Sequence, residues 1–255
     1  MSLTAEQIQS NWEEFLGIVE SHFEGDRKDK ILAMYNELED RASTAPASSV
    51  DHYHNAFIGG YTDHVLRVIK CAKSVYQLWS TMGADMSGYT EEELIFVAMH
   101  HDIGKLGFPG EGNEVYQPND SDWHIKNQGK VFKINTKNPF GLVNDVSLWL
   151  LQHYDIKVSF NEMLAIRCTD GLYDEANRPY FISRTKDSKF KTNLPFVMHQ
   201  ADAMAARIEF ETWAKDDDVY ESPLKQVSSK PKKALSKQSQ AVDINKMFGD
   251  LFGDK

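Results

Sequence analysis

"VAMHHDIGKLG", residues 97–107, is the stretch on which the fold turns. It sets two histidines, an aspartate and a lysine at the end of an otherwise apolar run. Such groups are costly to bury unless each finds a partner, and a metal ion is a partner that satisfies several at once. Leu94, Val97 and Ala98 share a helical stripe with His101, which therefore turns inward, with Asp102 about 100° further round the helix. Two other segments bring matching groups. His64, in "GGYTDHVLRVIKCA" (59–72), lies on the stripe of Val68 and Cys71. Asp202, in "LPFVMHQADAMAARIE" (194–209), sits in a helix thinned by Ala201, Ala203, Ala205 and Ala206, where another helix can approach closely. Unpaired buried polar groups destabilise by about 1–3 kcal/mol each, so three inward ionisable sites on three apolar helices are hard to explain as packing. A shared cation explains them together. Two imidazoles and two carboxylates suit Mn, Fe, Zn, Co or Ni, with Mg as a further candidate, better than Ca.

The rest of the chain reads as mostly helical. Thr4 with Gln7, Thr90 with Glu93, and Ser159 with Glu162 have capping-box spacing ahead of apolar residues at helical intervals. Further helices are expected over about 26–41, 60–82, 143–153 and 194–214. Two long connections, 106–142 and 169–193, are rich in Gly, Pro, Asn and Asp. "KVFKINTK" (130–137) in the first is expected to form a small strand pair, and "RPYFISR" (178–184) is the extended part of the second.

The 255 residues can bury a full core, and one large domain with additions is the preferred organisation. The expected divisions are an N-terminal helical extension (1–45), the main body (46–221), a Lys/Ser linker (222–241) and a C-terminal amphipathic peptide (242–255). Ile244, Met247, Phe248, Leu251 and Phe252 recur in that peptide at helical spacing, so residues 242–252 either dock on their own body or bind a partner protein as a helix in a groove. The net charge of −10 argues against general duplex DNA binding. Residues 222–241 hold five lysines and no acid, so the remainder carries −15, the total less those five positive charges. A body that acidic binds a phosphate substrate where bound cations reverse the local field. Cys71 and Cys168 fall in helical segments and nothing resembles a secretory signal. No apolar run approaches the roughly 20 residues of a membrane span. The expectation is a cytoplasmic protein with no membrane association.

His64, then His101-Asp102, then Asp202 resembles the H...HD...D signature of the HD-domain metal-dependent phosphohydrolase superfamily. The likeness covers roughly residues 50–210 and extends to "HNAFIGG" (54–60), "HDIGK" (101–105) and the HxxD of His199 to Asp202. It implies an all-α fold over 46–221, here with a small β-hairpin in a long loop, and metal-assisted cleavage of phosphoesters. Branches acting as deoxynucleotidases often carry a glutamate where this chain has Lys105. The lysine looks more like the HD-GYP cyclic-dinucleotide phosphodiesterases and HD-domain exoribonucleases, which have further histidines after the doublet. His124 and His153 fall in the corresponding order. The resemblance then implies two ions bridged by Asp102, with His64, His101 and Asp202 on one and His124 and His153 on the other. This chain has Tyr154 where those families usually have a second histidine, and it lacks the GYP sequence. One or two ions per chain therefore both stay open. "DGLYDEAN" (170–177) and "HQADAMAARIE" (199–209) are also similar to HD hydrolases of tailed bacteriophages, which would place the protein in the host cytoplasm.

On this reading Asp102 and Lys105 serve catalysis, Lys105 by stabilising charge on phosphate oxygens. Substrate contacts are expected from His54, which precedes the Gly59-Gly60 pair, from Asp170, Tyr173 and Asp174 in the second connection, from Lys126, and from His199 one turn before Asp202. The expected substrate is a nucleotide, a cyclic (di)nucleotide or a short oligonucleotide. The alternatives are a single-metal deoxynucleotide phosphatase or triphosphohydrolase, and a non-catalytic nucleotide-binding adaptor tethered through its C-terminal peptide.

Overall fold

The capping boxes anticipated at Thr4, Thr90 and Ser159 all form, and each opens a helix. Two of them are joined, because the Ser159 hydroxyl donates to Glu93 Oε1 at 2.6 Å while Glu93 Oε2 accepts from the Thr90 amide at 3.0 Å. Caps of this kind are worth about 1 kcal/mol each and fix where helices begin. The computed structural model describes residues 2–216. The expected linker (222–241) and C-terminal peptide (242–255) lie outside the described residues.

In chain order the elements are α1 (Ala5–His22), α2 (Gly25–Glu37), α3 (Glu39–Thr44), α4 (Gly60–Thr81), α5 (Glu91–His100), β1 (Tyr116–Pro118), α6 (Asp122–Gln128), β2 (Phe132–Ile134), α7 (Val143–His153), α8 (Phe160–Arg167), α9 (Arg178–Ile182) and α10 (Leu194–Asp216). Short 3-10 turns cover Ile103–Leu106, Gly171–Tyr173 and Glu175–Asn177. This is a mainly all-α fold with one small antiparallel hairpin, in which Tyr116 faces Ile134 and Pro118 faces Phe132. "KVFKINTK" supplies one strand of that hairpin, and its partner comes from the preceding loop. "RPYFISR" is not extended: Arg178–Ile182 is helical, with Pro179 in the first turn, where its fixed φ and missing N–H suit a helix start.

One hydrophobic cluster joins Phe15 of α1, Tyr35 of α2, Val65 of α4, Phe96 of α5, Leu151 of α7, Ile166 of α8 and Val197 of α10. Full burial of a large apolar side chain contributes roughly 1.5–3 kcal/mol, so these helices hold one another. Residues 2–45 therefore contribute to the body's core, and the described residues belong to a single compact unit. α4 packs most extensively on α10, where Ala201 and Ala205 are fully buried and let the two backbones come together. No described helix is long and apolar enough to cross a membrane.

α5 stops at His100, immediately before His101 and Asp102. The chain tightens into the 103–106 turn because Gly104 lies against α7: a Cβ there would meet the Val143 carbonyl oxygen at 2.3 Å. Ser147 of α7 locks the corner. Its hydroxyl donates to the His101 carbonyl at 2.9 Å and accepts from the Gly104 amide at 2.9 Å. His101 and Asp102 thus stand on a fixed corner rather than on a fraying helix end.

Candidate metal centre

α4, the corner after α5, and α10 converge to bring His64, His101, Asp102 and Asp202 together. His64 Nε2 lies 3.2 Å from Asp202 Oδ1 and 3.5 Å from Asp102 Oδ2. His101 Nε2 lies 3.6 Å and 3.5 Å from the same two oxygens. Both imidazoles are almost wholly buried, and neither Nε2 makes a hydrogen bond.

The other ring nitrogens explain the arrangement. His101 Nδ1 is 3.0 Å from the Ala98 carbonyl oxygen, an atom that can only accept, so Nδ1 carries the hydrogen. His64 Nδ1 is 3.1 Å from both carboxylate oxygens of the buried Glu209 and donates there as well. Each ring therefore spends its Nδ1 on the scaffold and turns Nε2 to Asp102 and Asp202. Bare Nε2 lone pairs facing carboxylate oxygens repel unless positive charge lies between them. A carboxylate or carbonyl behind a histidine, fixing its tautomer, is the usual support of a metal-ligating imidazole. The donor set and its orientation fit a divalent cation.

The electrostatics agree. Burial alone would lower the His64 pKa, but the carboxylates of Glu209 and Asp202 reverse this and lift it to about 10. Burial works against the charged form of Asp202 too, and the two imidazoles more than compensate, holding its carboxyl well below the usual range. Asp102 is likewise lowered: the charges of Lys105, His101 and His64 outweigh its burial. The pocket keeps two carboxylates ionised and strongly favours positive charge at Nε2.

Among the described residues, a second possible ligand group is His54, His64 and Asp102. It shares His64 with the first. Because Nδ1 of His64 is committed to Glu209, its single remaining nitrogen serves one ion, and the two groups are variants of one centre. His54 also accepts from Lys105 Nζ at 3.1 Å, while the same ammonium meets Asp102 Oδ2 at 2.6 Å. Burial, then the Lys105 charge, push His54 well below its ordinary pKa, so it stays neutral beside the ammonium.

The expected second set of ligands is not brought here. His124 is exposed on α6, with Nδ1 on the Ser121 hydroxyl at 2.7 Å. His153 is exposed at the end of α7, its ring stacked on Trp149 with centroids 5.0 Å apart. Neither belongs to a ligand group among the described residues, so the structure does not bring the expected second set of ligands to the centre. The loop carrying His124 is occupied by the hairpin, and the α7 surface already offers His153 an aromatic partner.

The expected substrate contacts also separate. Asp170 stands beside the cluster: burial, followed by the charges of Asp102 and Asp202, raises its carboxyl. His199 holds that loop from α10. Its Nδ1 donates to the Thr169 carbonyl at 2.9 Å, and its ring fills the space where a Cβ on Gly171 (φ +55°) would fall, 2.2 Å from Cε1. Asp174 is turned elsewhere, pairing with Arg167 Nη1 at 2.9 Å and capping the next turn at the Ala176 amide. Both of its carboxylate oxygens are engaged in these contacts. Tyr173 is 92% exposed, and Lys126 is exposed on α6.

Two partners of the site escape the sequence reading. Glu209 lies seven residues beyond Asp202, two helical turns along the same face, which was the available signal. Ser147 carried none, because its role depends on how α7 meets the corner. Comparison with family models, with curated proteins and with solved structures finds no match to this chain.

Proposed function

We propose that the chain is a metal-dependent phosphohydrolase that cleaves a phosphoester in a nucleotide-type substrate, using one ion per chain. The observation that carries this is the pair of imidazoles whose Nδ1 atoms are held by Glu209 and Ala98 while both Nε2 atoms face Asp102 and Asp202. His64, His101, Asp102 and Asp202 would hold the ion, with Mn, Fe, Zn, Co or Ni suited to these donors. When bound, such an ion polarises a phosphoryl oxygen and makes water a better nucleophile near neutral pH. The reading agrees with the resemblance of these four residues to the HD-domain signature. The placement of His124 and His153 favours the single-metal form over the binuclear one.

The chain's own groups complete the chemistry. Lys105 is kept charged: burial would lower its pKa, but Asp102 beside it raises it. Its ammonium can donate to a phosphoryl oxygen as negative charge builds there. His54 and Asp102 aim that ammonium and limit its swing. Asp170, with its raised pKa, is a stronger base than an ordinary carboxylate and suits the proton of the attacking water. The water oxygen bonds to phosphorus as its proton passes to Asp170, the P–O bond to the alcohol breaks, and the departing oxygen takes a proton from solvent, to which Asp170 then returns its own.

The test is hydrolysis of a nucleoside monophosphate, a cyclic dinucleotide and bis(p-nitrophenyl) phosphate with added Mn(II), by wild type and Asp202→Asn. Turnover of at least one ester, falling 100-fold or more in the variant, is the expected result. A stoichiometrically loaded wild type that cleaves none of them overturns the proposal.

A further inference from the structure

Lys105 faces two spaces. On one side lie Asp102 and His54; on the other it lines a cavity of about 400 Å3. That volume falls in the usual range of small-molecule sites, roughly 300–1,000 Å3. Pro46, Ile58, Val115, Tyr116 and Phe132 supply much of the remaining wall. The hairpin register explains the aromatic side of it. Tyr116 pairs with Ile134 and Pro118 with Phe132, and residues two apart on a strand share a face, so Tyr116, Pro118 and Phe132 are presented together. Burial raises the Tyr116 hydroxyl pKa, while the nearby Lys105 ammonium opposes the rise. Arg41, at the edge, is committed to the Phe108 carbonyl at 2.6 Å and to that of Gly110.

A phosphate alone has no use for an apolar chamber beyond the lysine that would hold it. We propose that this chamber seats the base of a nucleotide whose phosphate is held by Lys105, the flat ring lying against the hairpin face of Tyr116 and Phe132. The inference rests on the phosphohydrolase reading and adds to it the part of the substrate that sets specificity. Stacking on aromatic side chains tolerates every base, so the chamber selects for a base before it selects among bases.

The experiment is calorimetric titration of Mn(II)-supplemented protein with adenosine 5′-monophosphate and with ribose 5-phosphate, which differ by the base alone. Ile58 is 58% exposed, so Ile58→Trp can fill the chamber without disturbing the core. Wild type is expected to bind the nucleotide at least tenfold more tightly than the sugar phosphate. In Ile58→Trp that ratio falls below twofold while ribose 5-phosphate binding is unchanged, and Phe132→Ala lowers the ratio at least threefold by removing a wall. Equal affinities in wild type, or a ratio that survives Ile58→Trp, overturn the chamber. Simple-ester hydrolysis retained in that event leaves the phosphohydrolase reading standing. A base preference that responds to Ile58→Trp in a protein that hydrolyses no ester keeps the chamber and sinks the enzyme reading instead.

Discussion

Two pairs of histidines in this molecule invite comparison. His64 and His101 are buried, each with Nδ1 fixed on the scaffold and Nε2 turned to carboxylates. His124 and His153 are exposed, one resting on a serine hydroxyl and one stacked on a tryptophan. Helical periodicity turns His64 and His101 inward, whereas His124 and His153 were joined to them only by their order along the chain. The difference is that an imidazole held at one nitrogen and desolvated at the other is a preorganised ligand, whereas a solvated one must first be ordered. Burial of the second nitrogen, not the spacing of the residues, separates the two pairs.

Metal content is the strongest way to break this contrast. His64→Ala removes a ligand and leaves Glu209 buried without its imidazole partner, so bound Mn(II) is expected to drop from about one ion per chain to none measurable, a loss of affinity beyond 100-fold. The His124→Ala, His153→Ala double variant is expected to keep the full ion within error. Elemental analysis after gel filtration decides. A wild-type content near two that falls to one in the double variant would restore the binuclear arrangement.

A smaller effect sharpens the role of the nitrogen facing away from the ion. With its pKa at about 10, His64 holds a proton on Nε2 at neutral pH when no cation is present, and an entering ion must displace it. Affinity then rises with pH, about tenfold per unit for one proton released, throughout the range below 10. Glu209→Gln keeps an acceptor for Nδ1 but removes the charge that makes the ring basic. Affinity at neutral pH is expected to fall about 10–100-fold, and the pH slope to flatten at a lower pH than in wild type. Titrations at pH 6, 7 and 8 test both; an unchanged slope in Glu209→Gln would mean that Asp202 alone sets the basicity of His64.

How much of this was legible follows the same division. Helix starts were readable because a capping box is local, confined to four residues. The inward direction of His64 and His101 was readable from helical periodicity, and the structure brings the two together with Asp202. Register across distant segments was not readable. Whether His124 returns to the centre depends on how the hairpin folds, and β1 pairs with β2 across α6, beyond any local signal. The Arg178–Ile182 helix reads as extended in the sequence because aromatic and β-branched residues favour strands, while Pro179 in its first turn suits a helix start. Glu209 was visible as a residue but not as a partner, since its meaning comes from α4 lying against α10.

The two aspartates of "DGLYDEAN" give the finest version of the comparison. They are four residues apart, yet only Asp170 feels the carboxylates of the metal centre, and Asp174 is spent on Arg167 and on the Ala176 amide. Asp174→Asn retains an oxygen able to accept from that amide and discards the ion pair. A slightly lower Tm with unchanged metal content and unchanged KM is the expected outcome, a smaller effect than any of the ligand or Glu209 substitutions should give. If the proposed hydrolysis holds, Asp170→Asn should lower kcat more than Tm, because its raised carboxyl lies near Asp102 and Asp202, and Asn144 is its one hydrogen-bond partner on the scaffold side. Thermal melts and steady-state kinetics on the same two preparations separate these cases. A KM that rises in Asp174→Asn would mean that the loop reorganises when substrate arrives, frees Asp174 from Arg167, and turns a residue that braces the loop into one that reads the ligand.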